Sequence, residues 1–238
     1  MKTLRKLSIL LIVLALGSNI PVLAFNSEKT ETRNVRDFNS IKVSAGIDLY
    51  LKMGDSEEVK VIADENIIDK VITEVKDGTL KIYMKQNNGW GNWGNVKSRK
   101  VYVSVKELTQ LHASSGSDVK SENTLTGETL KVNVSSGSDV TLDVHYKNFS
   151  VDTSSGSDAR ISGKTKNLEA EASSGSDIKA QDLESVICKV RVSSGSDATV
   201  NVSEEIYAKA SSGGDVRYYG NPQIKDINES SGGDVTHK

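Results

Sequence analysis

Apolar and polar residues alternate along most of this chain, and the alternation is tied to a short tract that recurs seven times. The tract reads Ser-Ser-Gly-Ser-Asp around Gly116, Gly137, Gly156, Gly175 and Gly195, and Ser-Ser-Gly-Gly-Asp around Gly213 and Gly232. Five residues before each glycine stand Leu111, Val132, Val151, Ala170, Val190, Ala208 and Ile227; four before stand His112, Asn133, Asp152, Glu171, Arg191, Lys209 and Asn228. Seven before, the five middle copies carry Leu130, Phe149, Leu168, Cys188 and Ile206. Three after come Val119, Val140, Ala159, Ile178, Ala198, Val216 and Val235. Neighbouring columns point to opposite faces with the period of two of a strand, and the apolar set keeps its phase across the glycine. The tract is therefore a bend within a strand pair.

Successive glycines are 21, 19, 19, 20, 18 and 19 residues apart. That period is too short for helical-pair repeats and fits one rung of a solenoid whose rungs stack at about 4.8 Å. The expected fold is all-β, a parallel β-helix with 19 to 20 residues per motif-bearing rung. Length variation is expected at His145–Asn148, Gly163–Asn167 and Gly220–Pro222, the turns across the rung from the motif. Residues 35–111 lack the motif but alternate in Ile41–Val43, Ile47–Leu51, Val59–Ile62, Leu80–Met84 and Val101–Val105, with weak helical periodicity near Glu65–Val71. They read as irregular first rungs joined by a Gly/Asn loop, continuous with the seven rungs of 112–238 in a single domain from residue 25.

Residues 1–24 read as a secretory signal, with Lys2, Arg5 and Lys6 before the apolar run Leu7–Leu16 and a small-residue cleavage site at Val22-Leu23-Ala24. The run is shorter than the about 20 residues of a spanning helix, so no transmembrane segment is expected in the mature chain. The periplasm, outer surface or medium is the expected location. The net charge is −2, or −5 without the three signal cations, too mild and interspersed for a nucleic-acid partner. A single cysteine, Cys188, rules out an internal disulfide, and aromatic content of 5% leaves the interior to small and β-branched residues.

Nearly all of the mature chain resembles the auto-transporter adhesin head GIN domain family. The resemblance rests on Val35-Arg36-Asp37-Phe38-Asn39-Ser40-Ile41, Ser44-Ala45-Gly46-Ile47-Asp48, Asp77-Gly78-Thr79-Leu80 and the repeated Ser-Gly-Ser-Asp. The tripeptide here is Gly-Ile-Asp where the family name has Gly-Ile-Asn. The resemblance implies a right-handed parallel β-helix and, by name, adhesion; it carries no catalytic residues.

Parity places Asp118, Asp139, Asp158, Asp177, Asp197, Asp215 and Asp234 outward in one file. Unit charges 4.8 Å apart repel by about 3 kcal/mol at an effective dielectric of 20, so the file needs partners. Ser114, Ser135, Ser154, Ser173, Ser193, Ser211 and Ser230, with backbone N–H groups, are expected to supply them. Calcium held by stacked Asp and Ser oxygens and direct ligand binding along this Ser/Asp ladder face are the alternatives, and otherwise no cofactor is expected. Lys120, Arg160, Lys179 and Arg217, two residues beyond their Asp, would neutralise part of the charge. The serines on both sides of the glycine, Ser115 and Ser117 in the first copy and their equivalents, are expected to face inward.

His112, His145 and His237 fall in different columns, so no Ser-His-acid grouping is suggested. The evenly repeated acids differ from the concentrated cleft of a β-helix lyase. The expectation is a non-enzymatic binding or adhesion module for a cell-surface glycan or protein, with a glycan-active enzyme and a calcium-stabilised surface element as alternatives. Trp90 and Trp93, in a Gly/Asn loop, suit carbohydrate stacking or partner anchoring, or else fold over the end of the core. After the last motif only Val235–Lys238 follow, so the final rung is expected to associate with a second chain or a partner, or to be shielded by 221–228.

Overall fold

The computed structural model describes residues 27–85 and 98–238. The N-terminal strands are β1 (Glu28–Arg33), β2 (Ser40–Val43), β3 (Asp48–Met53), β4 (Glu58–Asp64), β5 (Val71–Lys76), β6 (Thr79–Met84) and β7 (Arg99–Val105). The repeat region holds β8 (Gln110–Ala113), β9 (Asp118–Ser121), β10 (Leu125–Ser135), β11 (Asp139–Ser154), β12 (Asp158–Ser173), β13 (Asp177–Val192), β14 (Asp197–Ala210), β15 (Asp215–Tyr219), β16 (Ile224–Glu229) and β17 (Asp234–His237).

From β8 onward all pairing is parallel, and the protein is a β-solenoid. Like columns stack in register, as Asp139 on Asp158 and Leu168 on Cys188 show. The long strands run through the second corner, where register breaks between Ala180 and Glu184 and between Ser185 and Ile187 absorb the uneven repeat lengths. The apolar columns are buried as their parity requires, apart from Ile227 and Val235 in the last rung. Burial holds the Cys188 thiol up to about 12. Tyr146, also buried, satisfies its hydroxyl by donating to the Leu108 carbonyl at 3.0 Å.

Residues before 111 depart from a simple stack of rungs. The chain lays down β2 and β3, leaves the stack, and returns at β8 and β9, which pair with β2 and β3. On their other side β2 and β3 pair with β6 and β7. The intervening residues build an antiparallel cap, β1 on β4, β4 on β7, and the hairpin β5–β6 turned at Asp77-Gly78, where both residues have positive φ. Alternation is common to rungs and cap strands, so it foretold the strands and missed their direction. The weakly helical stretch contains one 3-10 turn, Ile68–Lys70.

At the far end, among the described residues, β16 pairs only with β14 and β17 only with β15. Lys225, Ile227 and Glu229 stand in register with the buried Ile206, Ala208 and Ala210. The inward positions of the last rung are thus partly charged. Lys225 Nζ lies 5.8 Å from the ring centre of Tyr218, His237 stacks on the same ring at 4.9 Å, and Glu229 accepts the Val235 N–H at 2.8 Å. Segment 221–228 does not fold across this end: most of it is the edge strand itself. Val216 is fully buried, while Ile227 is exposed.

Candidate functional site

Each motif turns the chain with two consecutive left-handed residues. The first flanking serine has φ between 50° and 58° and the glycine between 65° and 77° in all seven copies. This corrects the expected inward placement of both serines. Ser115, Ser136, Ser155, Ser174, Ser194, Ser212 and Ser231 are exposed at the vertex, and only Ser117, Ser138, Ser157, Ser176 and Ser196 are buried. The buried hydroxyls close the bend: Ser157 Oγ accepts the Ser154 N–H at 3.1 Å and donates to the Val134 carbonyl at 2.9 Å. They also link rungs, as where Ser138 Oγ accepts the Ser117 N–H at 3.0 Å. In the last two copies a backbone bond replaces the hydroxyl, from Gly214 N–H to Ser211 O and from Gly233 N–H to Ser230 O.

The seven aspartates form the outward file that parity predicts, and the file is longer than the motif count. Ser44-Ala45-Gly46-Ile47-Asp48 is an eighth bend, with Ala45 and Gly46 at positive φ and the Gly46 N–H donating to the Ser115 carbonyl. Asp48 thereby joins the file beside Asp118, and Lys100, the register partner of Asp48, closes it at the cap. The spacing Ser-x-Gly-x-Asp was a usable signal for Asp48; the absence of the flanking serines concealed it. The partners of the carboxylates match expectation in part, with two of the four cations and a backbone N–H in place. Lys179 lies between Asp158 and Asp177 at 3.2 and 3.5 Å, and Arg217 between Asp197 and Asp215 at 3.3 Å to each. Asp139 accepts the Asp158 N–H at 3.2 Å. Two cations that straddle rungs, the Asp158 N–H and, for Asp234, the Thr236 hydroxyl are the partners, and among the described residues Ser114 and its equivalents are not. Asp118, which forms none of these ion pairs, is held above the usual carboxylate range by burial and by Asp139 and Asp48.

On the other side of the bend, a groove of about 580 Å³ runs across the rungs. Its floor is the outward file His112, Asn133, Asp152, Glu171, Arg191 and Lys209, flanked by the file that includes Ser135, Ser154, Ser173, Ser193 and Ser211. Arg191 pairs with Glu171 and, at 3.4 Å, with Glu169. Burial, then Glu171 and Glu169, push the Asp152 carboxyl up. Burial, then Lys42, push His112 down. His145 is exposed at the second corner, and His237 Nε2 lies 2.7 Å from the Gly220 carbonyl at the far end, so the histidines occupy three separate places. Among the described residues no three His, Cys, Asp or Glu side chains are grouped as metal ligands. Trp90 and Trp93 lie outside the described residues.

The family model described as Putative auto-transporter adhesin, head GIN domain, matches residues 37–222. The chain belongs to this family. Its fold is shared by a putative adhesin from Bacteroides fragilis, 20% identical, with a TM-score of 0.83 over 90% of this chain and 98% of that one. A putative adhesin from Parabacteroides distasonis is 22% identical, with a TM-score of 0.71 over 89% and 98%. A putative lipid binding protein from the same species is 21% identical, with a TM-score of 0.67 over 88% and 96%. At these identities the likeness is one of fold. No curated protein matches the chain. No helix among the described residues is long and apolar enough to cross a membrane.

Proposed function

We infer that the protein is an exported, non-enzymatic adhesion module that lays an extended, hydroxyl-rich polymer such as a cell-surface glycan along the groove preceding the bends. The observation that carries this reading is the groove's form: it is open, it crosses successive rungs, and each rung offers one hydroxyl and one longer polar side chain at a pitch of about 4.8 Å. Such a surface can make many equivalent hydrogen bonds to a repeating ligand and concentrates no nucleophile, acid or base at one point. Membership of an adhesin family supports the same reading, as does the N-terminal signal-like sequence for export.

The test is a glycan array probed with wild-type protein and with Asn133→Trp, whose indole would stand in the groove from an exposed position. Binding that falls at least tenfold in the variant, with an unchanged melting temperature, supports the groove. A wild type giving no signal above a scrambled control, or a variant that binds equally well, removes it.

A further inference from the structure

Beyond the groove, at the cap end, a cleft of about 800 Å³ is lined by Lys42, Lys81 and Lys85 together with Ile72, Tyr83 and Ser44. Lys42 on β2 and Lys81 on β6 are direct partners in the parallel ladder, and on its other side Lys42 is the partner of His112 on β8. Side chains at partnered positions of a parallel pair leave the sheet on the same face, so Lys42 and Lys81 carry like charges on one face of the ladder. Among the described residues only two other Lys or Arg pairs face each other in this way, Arg160 with Lys179 and Arg191 with Lys209. Each of those holds a carboxylate: Lys179 pairs with Asp158 and Asp177, and Arg191 with Glu169 and Glu171. Among the described residues none of the ion pairs reaches Lys42, Lys81 or Lys85. The nearest candidate by register, Glu74 opposite Lys81, instead accepts the Tyr83 hydroxyl at 3.1 Å.

We propose that this cleft is an oxyanion site, in which Lys42, Lys81 and Lys85 hold a phosphate, sulfate or carboxylate group and the Ser44 hydroxyl offers a further donor. A bound oxyanion supplies the ion-pair partner that the other two cation pairs hold and that, among the described residues, these three lysines lack. Lysine suits this task because a flexible ammonium can meet an anion without fixed geometry. The site stands independently of the glycan groove. The same oxyanion chemistry could reach it on a lipid headgroup or on a water-soluble ligand.

Titration of isotope-labelled protein with inorganic phosphate, against chloride at matched ionic strength, reads the site directly. Saturable shifts of the Lys42, Ser44, Lys81 and Lys85 amides are expected with phosphate only. Affinity should fall at least tenfold in Lys42→Gln/Lys81→Gln and stay unchanged in Lys209→Gln. Co-sedimentation with phosphatidylcholine vesicles, with and without phosphatidylglycerol, separates the sources: pelleting that needs the anionic lipid and is lost in the double variant identifies a headgroup, whereas phosphate binding without pelleting identifies a soluble ligand. Linear shifts, equal shifts with chloride, or undiminished affinity in the double variant overturn the proposal. Should the double variant fold poorly, Lys42→Gln and a phosphate-specific rise in the wild-type melting temperature provide the same decision.

Discussion

A Cβ added to Gly156 would meet nothing within 4 Å, yet the residue sits at φ 66°. The glycine is there for its backbone conformation and not for space. Gly156→Val is therefore expected to cost about 1–3 kcal/mol, through the left-handed region that β-branched residues avoid, and Gly156→Asn distinctly less. Urea unfolding of the two variants checks this; equal loss would mean that sterics decide. Gly233 is the opposite case, since a Cβ there would lie 2.5 Å from Ala210 C and Ser211 N. For Cys188, burial and the raised thiol imply slow labelling by thiol reagents in the native state, and Cys188→Ala is expected to cost about 1–3 kcal/mol. Asp152 has a pH signature. Its raised carboxyl takes up a proton more readily folded than unfolded, so its ionised form opposes folding at neutral pH and ceases to do so as pH falls through the folded value. Asp152→Asn is accordingly expected to raise the melting temperature at pH 7, with the gain disappearing in acid.

The bends act as an element whose members depend on their neighbours. Ser176 Oγ donates to the Ser173 carbonyl at 2.9 Å, accepts the Ser173 N–H at 3.2 Å and meets Thr153 Oγ1 at 2.9 Å. Ser176→Ala leaves these groups buried without that partner, at about 1–3 kcal/mol, and hydrogen exchange should rise in the adjoining rungs as well. Along the Asp file, Lys179, Arg217 and the Asp158 N–H already serve as partners. EDTA is therefore expected to shift the melting temperature little. A large drop reversed by calcium would favour a metal ladder over these contacts.

At the scale of the molecule the two ends are treated differently. One is covered by antiparallel strands, while the other leaves β16 and β17 as open edges with charge at inward positions, a known defence against edge-to-edge pairing. Lys225 and Glu229 are thus expected to keep the wild type monomeric, and Lys225→Leu/Glu229→Leu to associate as concentration rises. Light scattering across a concentration series distinguishes this from the end-to-end association that the open rung suggested. A wild type that dimerises would show that the inward charges are insufficient.

The period of the glycines and the alternation around them were enough to specify parallel rungs, the buried columns and the Asp file, because every rung repeats the same local choice of inward and outward residues. Even Asp48 was marked by its spacing. Alternation carries no information on strand direction, so the cap was readable as strands and not as antiparallel pairs. Parity also misplaced Ser115 and its equivalents, because two left-handed residues swing one position out of the pleat before the next returns to phase. The groove, the cations that straddle the aspartates and the unanswered pair Lys42 and Lys81 join residues far apart in sequence. Only stacking brings them within reach: successive rungs align the groove and the cations, and β6 returns beside β2 to set Lys81 against Lys42.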